Sequence, residues 1–188
     1  MVKWHTRSQF ESHLPPELVS FLAEYFNVEY SDGLVGYTQL KLANTIFHCH
    51  PNYRGQGPWY DWAMIKYIPN EDNPDVTNEW PARILAFVQE LSGDGRLSMV
   101  IQWAGGRIRS TCHLFHRYVS HHDPDNPNYE VYPVETINKL ILAIPVEDET
   151  EIVIPRDYAE WPDRFCSSHR MVDITCTAVI RYIYNDCR

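Results

Sequence analysis

The sequence predicts a mainly β protein: a small, strongly bent sheet or β-barrel with one helix near the N-terminus packed on it. Three observations carry this expectation. From Tyr37 onward the hydrophobic period is two rather than 3.6. Turn signals recur about every ten residues and cut the chain into seven or more short strands. No helical stretch between those strands is long enough for a crossover, which argues against a parallel α/β sheet.

The helix is predicted over Pro15 to Asn27, where Leu18, Phe21, Leu22, Tyr25 and Phe26 fall on one face. Pro15-Pro16-Glu17 supplies a preset φ and an acid for the first turn. Ser31-Asp32-Gly33 reads as a turn. Thr38 to Leu42 and Thr45 to His50 then form a candidate hairpin around Ala43-Asn44. The stretch 51–58 is loop by composition, and Trp59 to Tyr67 is rich in strand formers. The clearest hairpin joins Trp80–Gln89 to Leu97–Trp103 across Ser92-Gly93-Asp94-Gly95. Cys112 to Tyr118 is a short strand or helical turn, and His121 to Asn128 is loop. Tyr129 to Val134, Lys139 to Val146 and Glu151 to Ile154 read as further strands. Ile174 to Tyr184 reads as a strand or a short closing helix. The expected division is a helical arm over residues 1–36 and a β-domain over residues 37–188.

Composition narrows the function classes. The 188 residues are 44% hydrophobic and 22% charged, enough for a real core and unlike a disordered chain. The net charge of −9 speaks against general nucleic-acid binding and suits a basic partner. No apolar run approaches the roughly 20 residues of a membrane span, so no membrane partner is expected. The first residues carry no apolar signal region, and the five cysteines lack CxxC spacing. Together these lead to the expectation of an intracellular protein with mostly buried thiols.

An ordered set of short motifs resembles a bromo-adjacent homology domain. Trp62-Ala63-Met64-Ile65-Lys66 looks like its opening strand. Trp80-Pro81-Ala82-Arg83-Ile84-Leu85-Ala86-Phe87 is similar to the family's x-A-R-I-L-x-I strand. Gly93-Asp94-Gly95 with Ser98-Met99-Val100-Ile101-Gln102-Trp103 resembles the hairpin that follows. Tyr132-Pro133-Val134-Glu135-Thr136-Ile137 resembles V-P-V-E-S-I, and Arg164-Phe165-Cys166 resembles a late F-F-C-R. The stretch Trp103-Ala104-Gly105-Gly106-Arg107 departs from the family's W-F-x-R-P by lacking the proline. A second resemblance starts from His50 through Trp62 and looks like tail regions of large DNA-transposon proteins of fungi and algae. Both resemblances imply a β-barrel interaction module in a chromatin or mobile-element setting, and hence a nuclear location. The first implies methyl-lysine reading, with a basic, histone-like tail as the partner.

Candidate site residues follow from the aromatics. Trp59, Tyr60 and Trp62 sit on one short stretch with Asp61, and Trp80 and Trp103 lie on strands expected nearby. Aromatic faces with a carboxylate attract a methylated ammonium through the ring quadrupole. The competing explanation is that these tryptophans fill the core with their indole N–H groups bonded internally. The expected ligand-binding set is therefore Trp59, Tyr60, Asp61, Trp62, Trp80 and Trp103. His48 and His50 share a strand face, while Cys112, His113, His116, His121 and His122 form a second group. Neither has the spacing of a zinc site, so no metal or cofactor is expected. From Gly95 to His122 the chain carries Arg96, Arg107, Arg109 and Arg117 and no acid. This is the single local patch through which nucleic acid is a conceivable partner, against a solvated rim. The acidic stretch Glu147 to Glu151 is a tip suited to a basic tail, or simply soluble surface. The nucleophile-elbow, P-loop, dinucleotide and zincin signatures are all missing, so no catalytic residue is assigned. The expected function is a non-catalytic module that reads a basic peptide. The alternative is a structural or assembly domain of a mobile-element-derived protein without a discrete pocket.

Overall fold

A computed structural model describes residues 3–4, 14, 16–27, 34–51, 53–56, 58–69, 76–91, 95–108, 115–119, 129–146 and 151–155. The turn at Ser31-Asp32-Gly33, the hairpin tip Ser92 to Asp94, Cys112, His113, the loop 121–128 and the expected strand 174–184 lie outside the described residues. The chain forms two compact units: Met1–Ala104 with Asp123–Leu140, and Gly105–His122 with Ile141–Arg188. As expected, the fold is mainly β with a helix near the N-terminus. Among the described residues no helix is long and apolar enough to cross a membrane.

In the first unit, β1 (Lys3–Trp4) precedes α1 (Pro16–Tyr25), which has Glu17 in its first turn. The helix stops at Asn27, which takes a φ of 48° and donates its N–H to the Glu24 carbonyl. Asparagine tolerates that left-handed conformation better than most residues do. The apolar stripe is rotated from the expected one. Leu18, Val19 and Leu22 are buried, Phe21 and Phe26 are partly covered, and Tyr25 stays 56% exposed.

The strands of this unit are β2 (Leu34–Tyr37), β3 (Gln39–Leu42), β4 (Thr45–His50), β5 (Trp59–Tyr60), β6 (Trp62–Tyr67), β7 (Asn78–Glu90) and β8 (Leu97–Trp103). They are followed by β11 (Tyr129–Pro133) and β12 (Ile137–Ile141). The long β7 is the spine of a seven-stranded sheet. It pairs antiparallel with β8 along one edge. Along the other edge β6 pairs with its first half and β2 with its second. β1 extends beside β2, β12 beside β6, and β11 beside β8. The short strand β2 was not expected from the sequence, because Gly36 interrupts its apolar pattern. β3, β4 and β5 make a separate three-stranded sheet.

Two features bend the large sheet. The ladder between β7 and β8 shifts register between Ile84 and Ala86, so Leu85 is an extra residue. Such a bulge switches the side-chain alternation and sharpens the twist. Before it the even residues Ala82 and Ile84 face the inner core; after it the odd residue Phe87 does. The second feature is the three-residue 3₁₀ turn Val134–Thr136, which alone joins β11 to β12. Three residues reach about 10 Å at most. The turn touches β6 and β8, which lie on opposite sides of β7, so the sheet must curl toward itself there.

The curl gives the unit two cores. Ile65, Ile84, Phe87, Met99 and Ile101, all with no exposed surface, fill the concave side together with Leu40, Phe47 and Cys49 from the small sheet. Leu85, Ala86, Val88 and Val100 cover the other side beneath Leu18, Val19 and Leu22 of α1. The expected hairpin at Ala43-Asn44 is present, with Leu42 paired to Thr45. The expected single strand Trp59 to Tyr67 is two strands broken at Asp61. Its first half pairs with β4 and its second with β7.

The second unit holds β9 (Arg107–Ile108), β10 (Phe115–Val119), β13 (Ile144–Val146) and β14 (Glu151–Pro155) in the order β13-β14-β10-β9. The expected single strand Lys139 to Val146 is thus divided at Leu142-Ala143 between β12 and β13. Among the described residues, Ile141, Tyr118, Ile144, Ile152 and Ile154 are the buried apolar residues of this unit.

Candidate functional site

Strand parity places the site. On the inner face of the large sheet, Ile65 and Tyr67 of β6 lie beside Trp80 and Ala82 of β7, because Trp80 pairs with Ile65. Ala82 pairs with Trp103 of β8, and Ile101 pairs with Glu130 of β11. Deep in the fold this face carries aliphatic side chains. At the ends of the strands it carries Tyr67, Trp80, Trp103, Tyr132 and Glu130, all half-buried. These five residues line a groove of about 380 Å³.

The Trp103 ring meets Tyr67 at 5.6 Å between centroids, with planes at 64°. It meets Tyr132 at 5.4 Å and 86°. Rings that meet edge to face keep their negative faces turned in different directions, the arrangement the ring quadrupole favours. The Trp80 indole N–H donates to the Ala104 carbonyl at 2.9 Å, which fixes that side chain. The Tyr132 hydroxyl is pushed up to about 12, first by burial and then by the negative charge and hydrogen bond of Glu130. A tyrosine that donates to a carboxylate keeps its proton. The groove therefore combines four aromatic rings with one carboxylate.

Of the residues expected from the sequence, Trp80 and Trp103 come together here. Trp59, Tyr60, Asp61 and Trp62 lie elsewhere. Asp61 sits at the corner between β5 and β6, where its N–H donates to the His48 carbonyl and its carbonyl accepts from Ile84. Its carboxylate accepts the His48 backbone N–H at 2.7 Å and the Trp59 indole N–H at 2.8 Å, and lies 3.1 Å from His48 Nδ1. The Trp59 ring stacks on His48 at 4.7 Å. Tyr60 packs against both cores, with the Arg83 guanidinium 5.7 Å from its ring centroid. Trp62 pairs with Arg83 on the face opposite Trp80.

Tyr67, Glu130 and Tyr132 were missed. The signal for Tyr67 was the alternation Ala63, Ile65, Tyr67 along β6, which assigns it to the buried face. The signal for the other two was their spacing of two along a strand, which places the carboxylate and the ring on one side.

The remaining candidates separate. In the second unit Arg117 bonds Glu151, with Nε to Oε2 at 3.0 Å, and Arg107 bonds His116. Arg107 and Arg117 fall on opposite faces of their ladder, since Arg117 pairs with Ile108. Arg96 belongs to the first unit, and Arg109 lies outside the described residues, as do Glu147 to Thr150. Among the described residues no group of three or more His, Cys, Asp or Glu is placed to hold a metal ion. Cys49 is buried, donates to the Tyr37 carbonyl at 3.1 Å, and has its thiol pushed up by burial. A thiol held protonated in an apolar core is inert.

No protein-family model matches the chain, and no curated protein or solved structure matches it either.

Proposed function

We propose that this chain is a non-catalytic recognition module whose groove holds a methylated ammonium group carried by a basic peptide. The observation that carries the reading is the convergence of Tyr67, Trp80, Trp103 and Tyr132 on one cleft with the Glu130 carboxylate. A quaternary or methylated ammonium is large, apolar at its surface and positive. Aromatic faces match all three properties, at about 0.5–1 kcal/mol per exposed ring and about 2 when desolvated. The carboxylate adds a charge that a neutral ligand of the same shape cannot use. The net charge of −9 favours encounter with a basic segment. The resemblance of the β7–β8 region to a bromo-adjacent homology domain points to the same ligand class.

The test is a pair of isosteres. Tetramethylammonium and neopentane-type neutral analogues differ in charge and hardly in shape. Titration followed by protein NMR should show saturable shifts at Trp80 and Trp103 indole signals with the cation. The neutral analogue should bind at least about fivefold more weakly, the equivalent of one cation–π contact. Equal binding of both, or none at tens of millimolar, would overturn the proposal.

A further inference from the structure

Beside the groove runs the outer edge of β11. Among the described residues, β11 pairs only with β8. An edge strand presents backbone N–H and C=O groups that another extended chain can use. Pro133 shows which residues do so. Proline lacks an N–H and sits in a strand where its nitrogen faces away from the ladder. The carbonyl of Pro133 is already occupied by the Thr136 hydroxyl at 2.7 Å. Backbone direction alternates along a strand, so the N–H and C=O of Val131 also face outward.

Side chains alternate about the same edge. Glu130 and Tyr132 point to the aromatic groove. Val131 and Pro133 point to the opposite face, where a second cleft of about 220 Å³ is formed with Tyr25, Phe26, Glu90 and Arg96; Tyr132 borders this cleft as well as the groove. A strand laid beside β11 therefore offers successive side chains to two different clefts, one on each face.

We infer that the ligand of the aromatic groove docks by strand addition: an extended basic peptide pairs antiparallel with the outer edge of β11, placing a methylated lysine among Tyr67, Trp103 and Tyr132 and its neighbouring side chain in the cleft of Tyr25 and Phe26. The inference rests on the proposed cation-binding role of the groove and adds how the partner is held. The antiparallel direction follows the other pairings of this sheet. Main-chain bonds supply affinity in this mode, and alternate pockets supply specificity. Glu130 selects the occupant, because a strand with an apolar residue at that position would strip water from the carboxylate and leave its charge with only the Tyr132 hydroxyl.

The alternation makes the test sharp. The residue opposite Val131 directs its N–H at β11, while the lysine one position along directs its N–H away. A basic dodecapeptide with a central trimethyllysine is compared with single backbone N-methylated versions, using calorimetry on the full chain. N-methylation at the residues flanking the lysine should weaken binding tenfold or more, and N-methylation at the lysine itself less than twofold. Val131→Pro should give the same loss for the peptide while leaving binding of acetyl-trimethyllysine amide intact. Equal tolerance of N-methylation at every position, with the small amide still binding, overturns strand addition and leaves the cation reading standing. Failure of the small amide itself overturns both. Should Val131→Pro not fold, the peptide series alone decides.

Discussion

Two carboxylates compete for the role of cation acceptor, and exchanging each for its amide separates them. Sequence reasoning selected Asp61; the structure places Glu130 in the groove. A carboxylate and a cation about 5 Å apart attract by about 0.8 kcal/mol in bulk water and about 3 kcal/mol at an effective dielectric near 20. The groove is half-buried, so Glu130→Gln should cost about 1–2 kcal/mol of tetramethylammonium binding, or about 5–30-fold. Asp61→Asn should leave that affinity within twofold and act on stability. Its carboxylate accepts two N–H groups, from the His48 backbone and the Trp59 indole, with the side chain only 16% exposed. An amide offers one acceptor oxygen, so one donor loses its partner, at about 1.5–3 kcal/mol for a bond to a charged group. Titration by NMR measures the first effect and urea denaturation the second. If Asp61→Asn weakens cation binding as much as Glu130→Gln does, the ligand sits at the β4–β5 corner and the groove assignment fails. If neither changes affinity, the carboxylate has no part in recognition.

The other predictions concern the edge, the bend, the tyrosines and one turn. Glu130→Lys should keep the protein monodisperse in light scattering, since either charge discourages edge pairing, yet abolish tetramethylammonium binding; retained binding would count against the groove. Deleting Leu85 removes the bulge while regular alternation keeps Ile84 and Phe87 on the inner face, so near-ultraviolet circular dichroism should stay native and the cost should be the lost Leu85 packing beneath α1; loss of the native spectrum would contradict the reading of Leu85 as the extra residue. The folded-state pKa of Tyr132, about 12, lies above the ordinary value of 10.0. Its contribution to stability is therefore complete below pH about 10 and lost as pH rises through about 12. Burial raises Tyr60, Tyr118 and Tyr129 in the same direction. Alkaline unfolding curves of the protein and of Tyr132→Phe should diverge below pH 10 and approach each other above it; a constant separation refutes the linkage. Ala43 holds a φ of 50°, where glycine is unstrained. Ala43→Gly should raise the unfolding free energy measured by urea denaturation by up to about 1 kcal/mol, and a lowered value would refute the strain argument.

The sequence made the β class, the N-terminal helix and the two main hairpins legible, because each rests on local periodicity and turn chemistry. That Trp80 and Trp103 lie close together was legible for the same reason, since both belong to the most clearly patterned hairpin. Tyr67, Glu130 and Tyr132 required knowledge of which strands are neighbours, and β11 joins the sheet through β8, which precedes it by some thirty residues. The error at Trp59 to Tyr67 has a local cause. The apolar run continues through Asp61, but the chain changes sheets there, since Asp61 satisfies three donors and acceptors from β4 and β7 that a continuing strand could not reach. Alternation counted across that corner assigns Tyr60 and Trp62 to one face, and the two sheets do not share one. The helix stripe was misplaced by one position because Val19 displaces Tyr25 from the buried side.

The position of Glu130 also has an explanation that involves no ligand, and weighing it sharpens the functional reading. Inward-pointing charges and prolines are common protections for an exposed sheet edge, and β11 carries one of each. Protection alone, however, does not account for what surrounds the charge. A gatekeeping carboxylate needs water around it, whereas Glu130 accepts from a tyrosine and shares its cleft with two tryptophans. Had the strand ends only to be sealed, aliphatic side chains like those deeper on the same face would bury more completely than half-buried rings. The two roles are compatible once the edge is treated as selective rather than closed. A carboxylate there repels apolar and acidic strands and admits one that brings a cation. The surrounding rings then reward a cation whose surface is methylated over one that must surrender a tight hydration shell. Under the proposed function, the same residue would guard β11 against indiscriminate pairing and select the partner that uses it.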